Sequence, residues 1–279
     1  MIDHISICWV VAMKSEAFAI CKCFNLKNVT HEGPFPIFTD LARRHWLAIS
    51  GVGRVQAAAA TMYLHDISGA QPWAVWVNLG IAGHGRADYG TLFLVDKIVE
   101  KSTGRNLYPR PLISSNVSRS VLETVDQPDT NYKSGTLFDM EGAAFFDIAC
   151  RLSCQQLVLL LKIVSDGPNA KLEGLTDKKI IQLIEQNISS IKKIIKEMEG
   201  KSKIEYNRLV EPQDYKIIIK KWHFSKTRRT QLQVFLRKWD TVFPKKDVVS
   251  YVEDCSNSNM VLKKISLKLN TYKIEWDKR

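Results

Sequence analysis

With 279 residues, 45% of them hydrophobic, the chain is long enough for one large domain, or for one domain and a small appendage. It contains no apolar run of the roughly 18 residues needed to span a bilayer, so no membrane segment is expected. Its net charge of +11 is concentrated at one end: residues 201–279 hold 19 Lys and Arg against 9 Asp and Glu, while residues 1–200 hold 21 against 20. That break predicts two parts, residues 1–200 and a basic C-terminal module at 201–279. The six cysteines (Cys8, Cys21, Cys23, Cys150, Cys154 and Cys255) have no Cys-x-x-Cys pair and no zinc spacing. Several lie in apolar stretches, where Cys acts as a small hydrophobe, so free thiols in a cytoplasmic protein are expected.

In chain order, Ile5–Val11 reads as a buried first strand. Ile5–Ala12 has neither the basic flank nor the cleavage site of a signal peptide. Lys14–Phe24 suits a helix, Phe35–Thr39 and His45–Ser50 a strand pair, and the Ala-rich Val52–Leu64 a second helix. Ala74–Leu79 and Thr91–Val99 read as strands, Gly142–Leu152 as a helix, and Leu157–Val164 as a strand apolar on both faces. Thr176 can cap a long helix whose stripe is Ile180, Ile184, Ile188, Ile191, Ile195 and Met198. Strands alternating with helices predict an α/β fold with a mixed, largely parallel sheet between helical layers. In the basic module, Ser225 to about Trp239 suits a helix with Leu232, Phe235, Leu236 and Trp239 on one face. Val248–Val252 and Tyr272–Trp276 suit short strands.

Asp166 follows the most apolar strand and precedes Gly167-Pro168. A carboxylate at the carboxyl end of a central strand stands where open α/β sheets bind ligands, although an Asp there can also simply cap a turn. Three further signatures precede it. Ala12-Met13-Lys14-Ser15-Glu16 follows the first strand, Ser50-Gly51-Val52-Gly53-Arg54-Val55 turns into the Ala-rich helix, and Asn78-Leu79-Gly80-Ile81-Ala82-Gly83 leaves another strand. The fourth signature couples Asp139-Met140-Glu141-Gly142 with Val164-Ser165-Asp166-Gly167. Glycine turns let the backbone come close to a substrate.

In their order and spacing these motifs, across about residues 1–198, resemble the nucleoside phosphorylase/nucleosidase superfamily, in particular its methylthioadenosine/S-adenosylhomocysteine nucleosidase branch. The resemblance implies a three-layer phosphorylase-like domain that cleaves a purine-type nucleoside of the adenosine class. Such cleavage creates an oxocarbenium-like sugar between a departing base and an incoming nucleophile, and a carboxylate on each side meets both needs, as in O-glycoside hydrolysis. Catalysis would fall to Glu16, which activates water, and Asp166, which protonates the departing base. Met140 and Glu141 would hold the ribose, with Gly53, Gly80, Ile81 and Ser165 beside the substrate. It implies a homodimer, a small-molecule nucleoside substrate, no metal and no cofactor, with phosphate as co-substrate if the reaction is phosphorolytic.

Ile81 departs from the pattern, standing where many nucleosidases carry a serine. The segment from Leu107 to Ser134, which helps to frame the base in that family, is short; Leu122 and Glu123 are the residues expected there. Neither Ala12–Glu16 nor Asn78–Gly83 contains an Arg, which favours water over phosphate as nucleophile. Arg54, Arg86 and His84 keep the phosphorylase alternative open. Arg54 could equally pair on the surface, and His84 could be an ordinary loop histidine. A non-catalytic nucleoside sensor is the other alternative. The module at 201–279 mixes Trp222, Phe224, Phe235, Trp239, Tyr272 and Trp276 with many basic residues. That mixture fits either nucleic-acid or protein docking or a small α/β appendage with an aromatic core.

Overall fold

The computed structural model describes residues 5–114, 116–128, 132, 135–168 and 174–272. The chain divides into two compact units, Met1–Tyr206 and Asn207–Arg279. The charge break near Gly200 is not an element boundary, because helix α4 (Asp177–Leu209) runs through it.

The first unit begins with strand β1 (Ile7–Val11), helix α1 (Lys14–Phe24), strands β2 (Lys27–Asn28), β3 (Ile37–Thr39) and β4 (His45–Ile49), and helix α2 (Arg54–Ser68). Strands β5 (Val75–His84), β6 (Leu92–Glu100), β7 (Arg105–Leu107), β8 (Ser118–Thr124) and β9 (Thr136–Asp139) follow. Helix α3 (Gly142–Leu152), strand β10 (Val158–Asp166) and α4 complete the unit. β4, β1, β5 and β10 run parallel as neighbours. Beyond them the sheet closes on itself: β10 pairs with β6, β6 with β8, β8 with β9, and β9 returns to β5.

Strand period 2 builds two cores. Trp9, Val77, Leu159 and Leu161 face one way, against Ile20 of α1 and Ile184, Ile191 and Ile195 of α4. Val10, Trp76, Val158 and Leu160 face the other, against Ala60 and Leu64 of α2 and Phe145 and Ala149 of α3. The expected three layers are therefore present, with the apolar β10 buried on both faces because helices cover both.

The second unit differs from its expectation. It is helical throughout the described residues: α5 (Gln213–Lys221), α6 (Lys226–Val242), α7 (Val248–Tyr251) and α8 (Ser258–Asn270). The β-branched run at Val248 reads locally as a strand. However, Asp247 accepts from the Val249 N–H as an N-cap, and Val248 and Val252, one helical turn apart, both enter the core. Tyr272 lies beyond α8, and most of the other expected strand falls outside the described residues. Trp222, Phe224, Leu232, Leu236 and Trp239 fill this core.

Candidate active site

The carboxyl ends of β1, β5 and β10 lie side by side, and their register places the chemistry there. Val10 pairs with Asn78, and Asp166 pairs with Gly83. Between Val164 and Asp166 the ladder shifts by a residue, a bulge of the kind that re-aims side chains beside a site. The cavity over these ends measures about 370 Å³. Glu16, Ile81, Met140, Glu141, Ser165 and Asp166 line it, as do Asp139, Tyr132 and the apolar Met13, Val52, Val125, Phe138 and Ile180. Six of the eight residues expected at the site thus meet in one cavity; the other two, Gly80 and Gly53, stand behind its carboxylates.

Glu16 occupies the third position of α1, where an acid satisfies free backbone donors and the helix dipole. Its Oε2 accepts from the N–H groups of Ala12 at 2.8 Å and Met13 at 3.0 Å, and its Oε1 from the Ile81 N–H at 3.0 Å. Ile81 therefore serves the site through its backbone. A Cβ on Gly80 would lie 2.9 Å from Glu16 Oε1, so only glycine leaves the carboxylate its place. Burial pushes the Glu16 carboxyl above its ordinary range, while the Ile81 N–H and the Lys162 charge pull the other way.

Glu141 takes its orientation from the turn before α2. Its Oε1 accepts from the Gly53 N–H at 2.7 Å. Gly53 has φ +108°, a backbone state that glycine adopts at little cost. Burial, then the neighbouring Asp139, pushes Glu141 up to about 7.

Behind these acids lies a cation that the motifs do not reveal. Lys162 of β10 is fully buried, and its Nζ meets Asp139 Oδ2 at 2.7 Å. Asp139 also accepts from Thr124 Oγ1 at 2.8 Å and from the Gly142 N–H at 2.8 Å. Desolvation works against the Lys162 charge, but Asp139, Glu141 and Glu16 outweigh it and raise its pKa. A lone Lys within an otherwise apolar strand was the available signal, since a buried Lys must be paired.

Asp166 holds a hydrogen bond on each oxygen: Ser165 Oγ donates to Oδ1 at 2.5 Å and the Tyr132 hydroxyl to Oδ2 at 2.8 Å. Leu122 and Glu123 do not frame the cavity. Leu122 is core and Glu123 pairs with Lys101 at 3.4 Å, the two lying consecutively in β8 and so on opposite faces of the sheet; Val125, Pro128 and Tyr132 line the cavity instead. Arg54 is engaged by Glu100 and Asp126, each at 2.6 Å. His84 is a turn residue: its Nδ1 accepts from the N–H groups of Arg86 and Ala87, and its ring stacks on Phe93. Among the described residues no Lys, Arg or His lines the cavity. In the second unit Trp222, Phe224 and Trp239 are buried and offer no stacking platform, whereas Tyr272 remains exposed.

No family model matches the chain, and no curated protein matches its sequence. Solved structures do. The apo 5′-methylthioadenosine nucleosidase of Arabidopsis thaliana is 22% identical, with a TM-score of 0.57 over 70% of this chain and 96% of its own. The Colwellia psychrerythraea methylthioadenosine/S-adenosylhomocysteine nucleosidase, in complex with adenine, is 19% identical, with a TM-score of 0.53 over 70% and 95%. The Helicobacter pylori nucleosidase with butyl-thio-DADMe-Immucillin-A is 15% identical, with a TM-score of 0.56 over 69% and 98%. The chain thus carries the three-layer fold of the methylthioadenosine/S-adenosylhomocysteine nucleosidases, the fold its motifs resemble.

Proposed function

We propose that the chain hydrolyses the N-glycosidic bond of a purine-type nucleoside of the adenosine class. One observation carries this reading: Glu16, Glu141 and Asp166 converge on one cavity whose described lining includes no basic side chain. Water attacks C1′ and gives a proton to Glu16. The C1′–N9 bond breaks, its electron pair goes to the base, and Asp166 protonates the base at N7. Glu141 accepts from the ribose hydroxyls and stabilises the positive charge developing on the sugar, and Met140 packs against the sugar. A phosphate dianion would meet these carboxylates with no counter-charge facing it, which favours water.

Methylthioadenosine, the substrate in the plant neighbour's name, is the first compound to test, beside adenosine, S-adenosylhomocysteine and inosine. Release of free base without phosphate, slowed about a hundredfold or more but still measurable in Asp166→Asn, is the expected result. Release only with phosphate would make the protein a phosphorylase and remove the role of Glu16.

The proposed assembly is a homodimer. Val52 stands at the cavity rim, and Val55 and Met62 of α2 continue an exposed apolar face from it, the kind of surface that a second subunit covers. The described cysteines are unpaired, which suits the cytoplasm, and among the described residues no helix is long and apolar enough to cross a membrane. Docking of nucleic acid or protein by the basic module would act through its lysines and arginines.

A further inference from the structure

Tyr132 reaches the cavity from the connection between β8 and β9, far in sequence from the acid it contacts. Its hydroxyl donates to Asp166 Oδ2 at 2.8 Å. Its ring lies against Gly83: a Cβ there would stand 2.8 Å from Asp166 Oδ2 and 3.1 Å from Tyr132 Cε1. Its φ of +37° is one that few non-glycine residues adopt, and such backbone gathers at functional sites. The other oxygen of Asp166 is held by Ser165 Oγ at 2.5 Å. Ser165 is the preceding residue of the same strand and moves with it. A single donor leaves a carboxyl group free to swing about its terminal torsion, whereas a second donor, from another segment, fixes its plane.

We propose that Tyr132 is a positioning residue for leaving-group protonation, its hydroxyl fixing the plane of the Asp166 carboxyl so that its proton faces N7 of the departing base. This rests on the nucleosidase reading above. Tyr132 transfers no proton itself: the base takes its proton from Asp166, and the electron pair of the broken C1′–N9 bond stays with the base.

The test uses the full chain as wild type, Tyr132→Phe, Asp166→Asn and the double variant, with methylthioadenosine and adenosine as substrates. Loss of an interaction used only in the transition state lowers kcat and leaves KM, so Tyr132→Phe should lower kcat about tenfold or more with KM held within about threefold. Its melting temperature should stay within about 2 °C of the wild type. In the Asp166→Asn background the same change should cost nothing further, because Tyr132 acts through Asp166. An unchanged kcat, an equal proportional loss in both backgrounds, or a loss explained by a fall in melting temperature would overturn the role. Failure of the wild type to release any base would overturn the nucleosidase reading itself, a different result from an active wild type with an indifferent Tyr132→Phe.

Discussion

Lys162 lets several buried acids share one site. Its ammonium offsets Asp139 directly and lowers the cost of ionising Glu141 and Glu16. Lys162→Met should therefore cost about 3–5 kcal/mol, the usual penalty for stripping one partner from a buried ion pair. Urea denaturation checks this, and an unfolding midpoint equal to the wild type would refute it. The sequence makes Glu16, Glu141 and Asp166 legible because each sits in a short motif beside a strand end. The partners of Lys162 and Tyr132 are not legible in the same way. Asp139 lies 23 residues before Lys162 and Tyr132 lies 34 before Asp166, and only the closure of the sheet brings them together.

Among the elements, α3 follows directly on Glu141, the acid proposed to hold the ribose, and its start is packed to the limit. A Cβ on Gly142 would stand 2.5 Å from Leu122 Cδ2, 2.8 Å from Asp139 Oδ2 and 2.9 Å from Leu160 Cδ2. Gly142→Ala should destabilise by about 1–3 kcal/mol through overpacking. Because Glu141 precedes Gly142, KM should also rise; chemical denaturation and steady-state kinetics read the two effects. Helices α1, α2, α3 and α4 and the long strands were legible from periodicity. Strands β8 and β9 were not, because β8 is rich in polar residues (Ser118, Arg119, Ser120, Glu123 and Thr124), β9 is only four residues long, and their pairing comes from β6 and β5. Helix α7 was misread because two valines favour a strand locally, while the core takes them one helical turn apart.

Across the whole molecule, two buried groups tilt stability in opposite directions. His45 stacks on Phe24 and is held, chiefly by burial, at about 4 rather than 6.5. The unfolded chain binds its proton more readily, so this group's contribution is complete above pH 6.5 and is lost as pH falls towards 4. Glu141, raised from 4.5 to about 7, works in the reverse sense, and its contribution is complete below 4.5 and is lost as pH rises through 7. Each amounts to about 3 kcal/mol, so the two largely offset one another between pH 4.5 and 6.5, and the raised Glu16 carboxyl adds to the downward side. Relative to the wild type, Glu141→Gln should tilt the profile upward with pH over that window, and His45→Gln should tilt it downward; thermal unfolding across the range decides. For the assembly, Val55→Glu should convert the proposed dimer to a monomer, as light scattering would reveal. A wild type monomeric at working concentration would remove the proposed dimer.

The two ends of the sheet meet different fates, with a consequence for what happens when the protein is crowded or partly opened. On one side the strands wrap round, so β10, β6, β8, β9 and β5 leave no free margin along that ring. On the other the sheet dwindles to β2, two residues long and carrying the exposed Lys27. β7, the remaining short margin among the described residues, is three residues and begins with the exposed Arg105. Neither is long enough to template a foreign strand, and each carries a charge that opposes one. Self-association through strand addition, the route to fibrils, is thus closed off by topology at one border and by brevity and charge at the other.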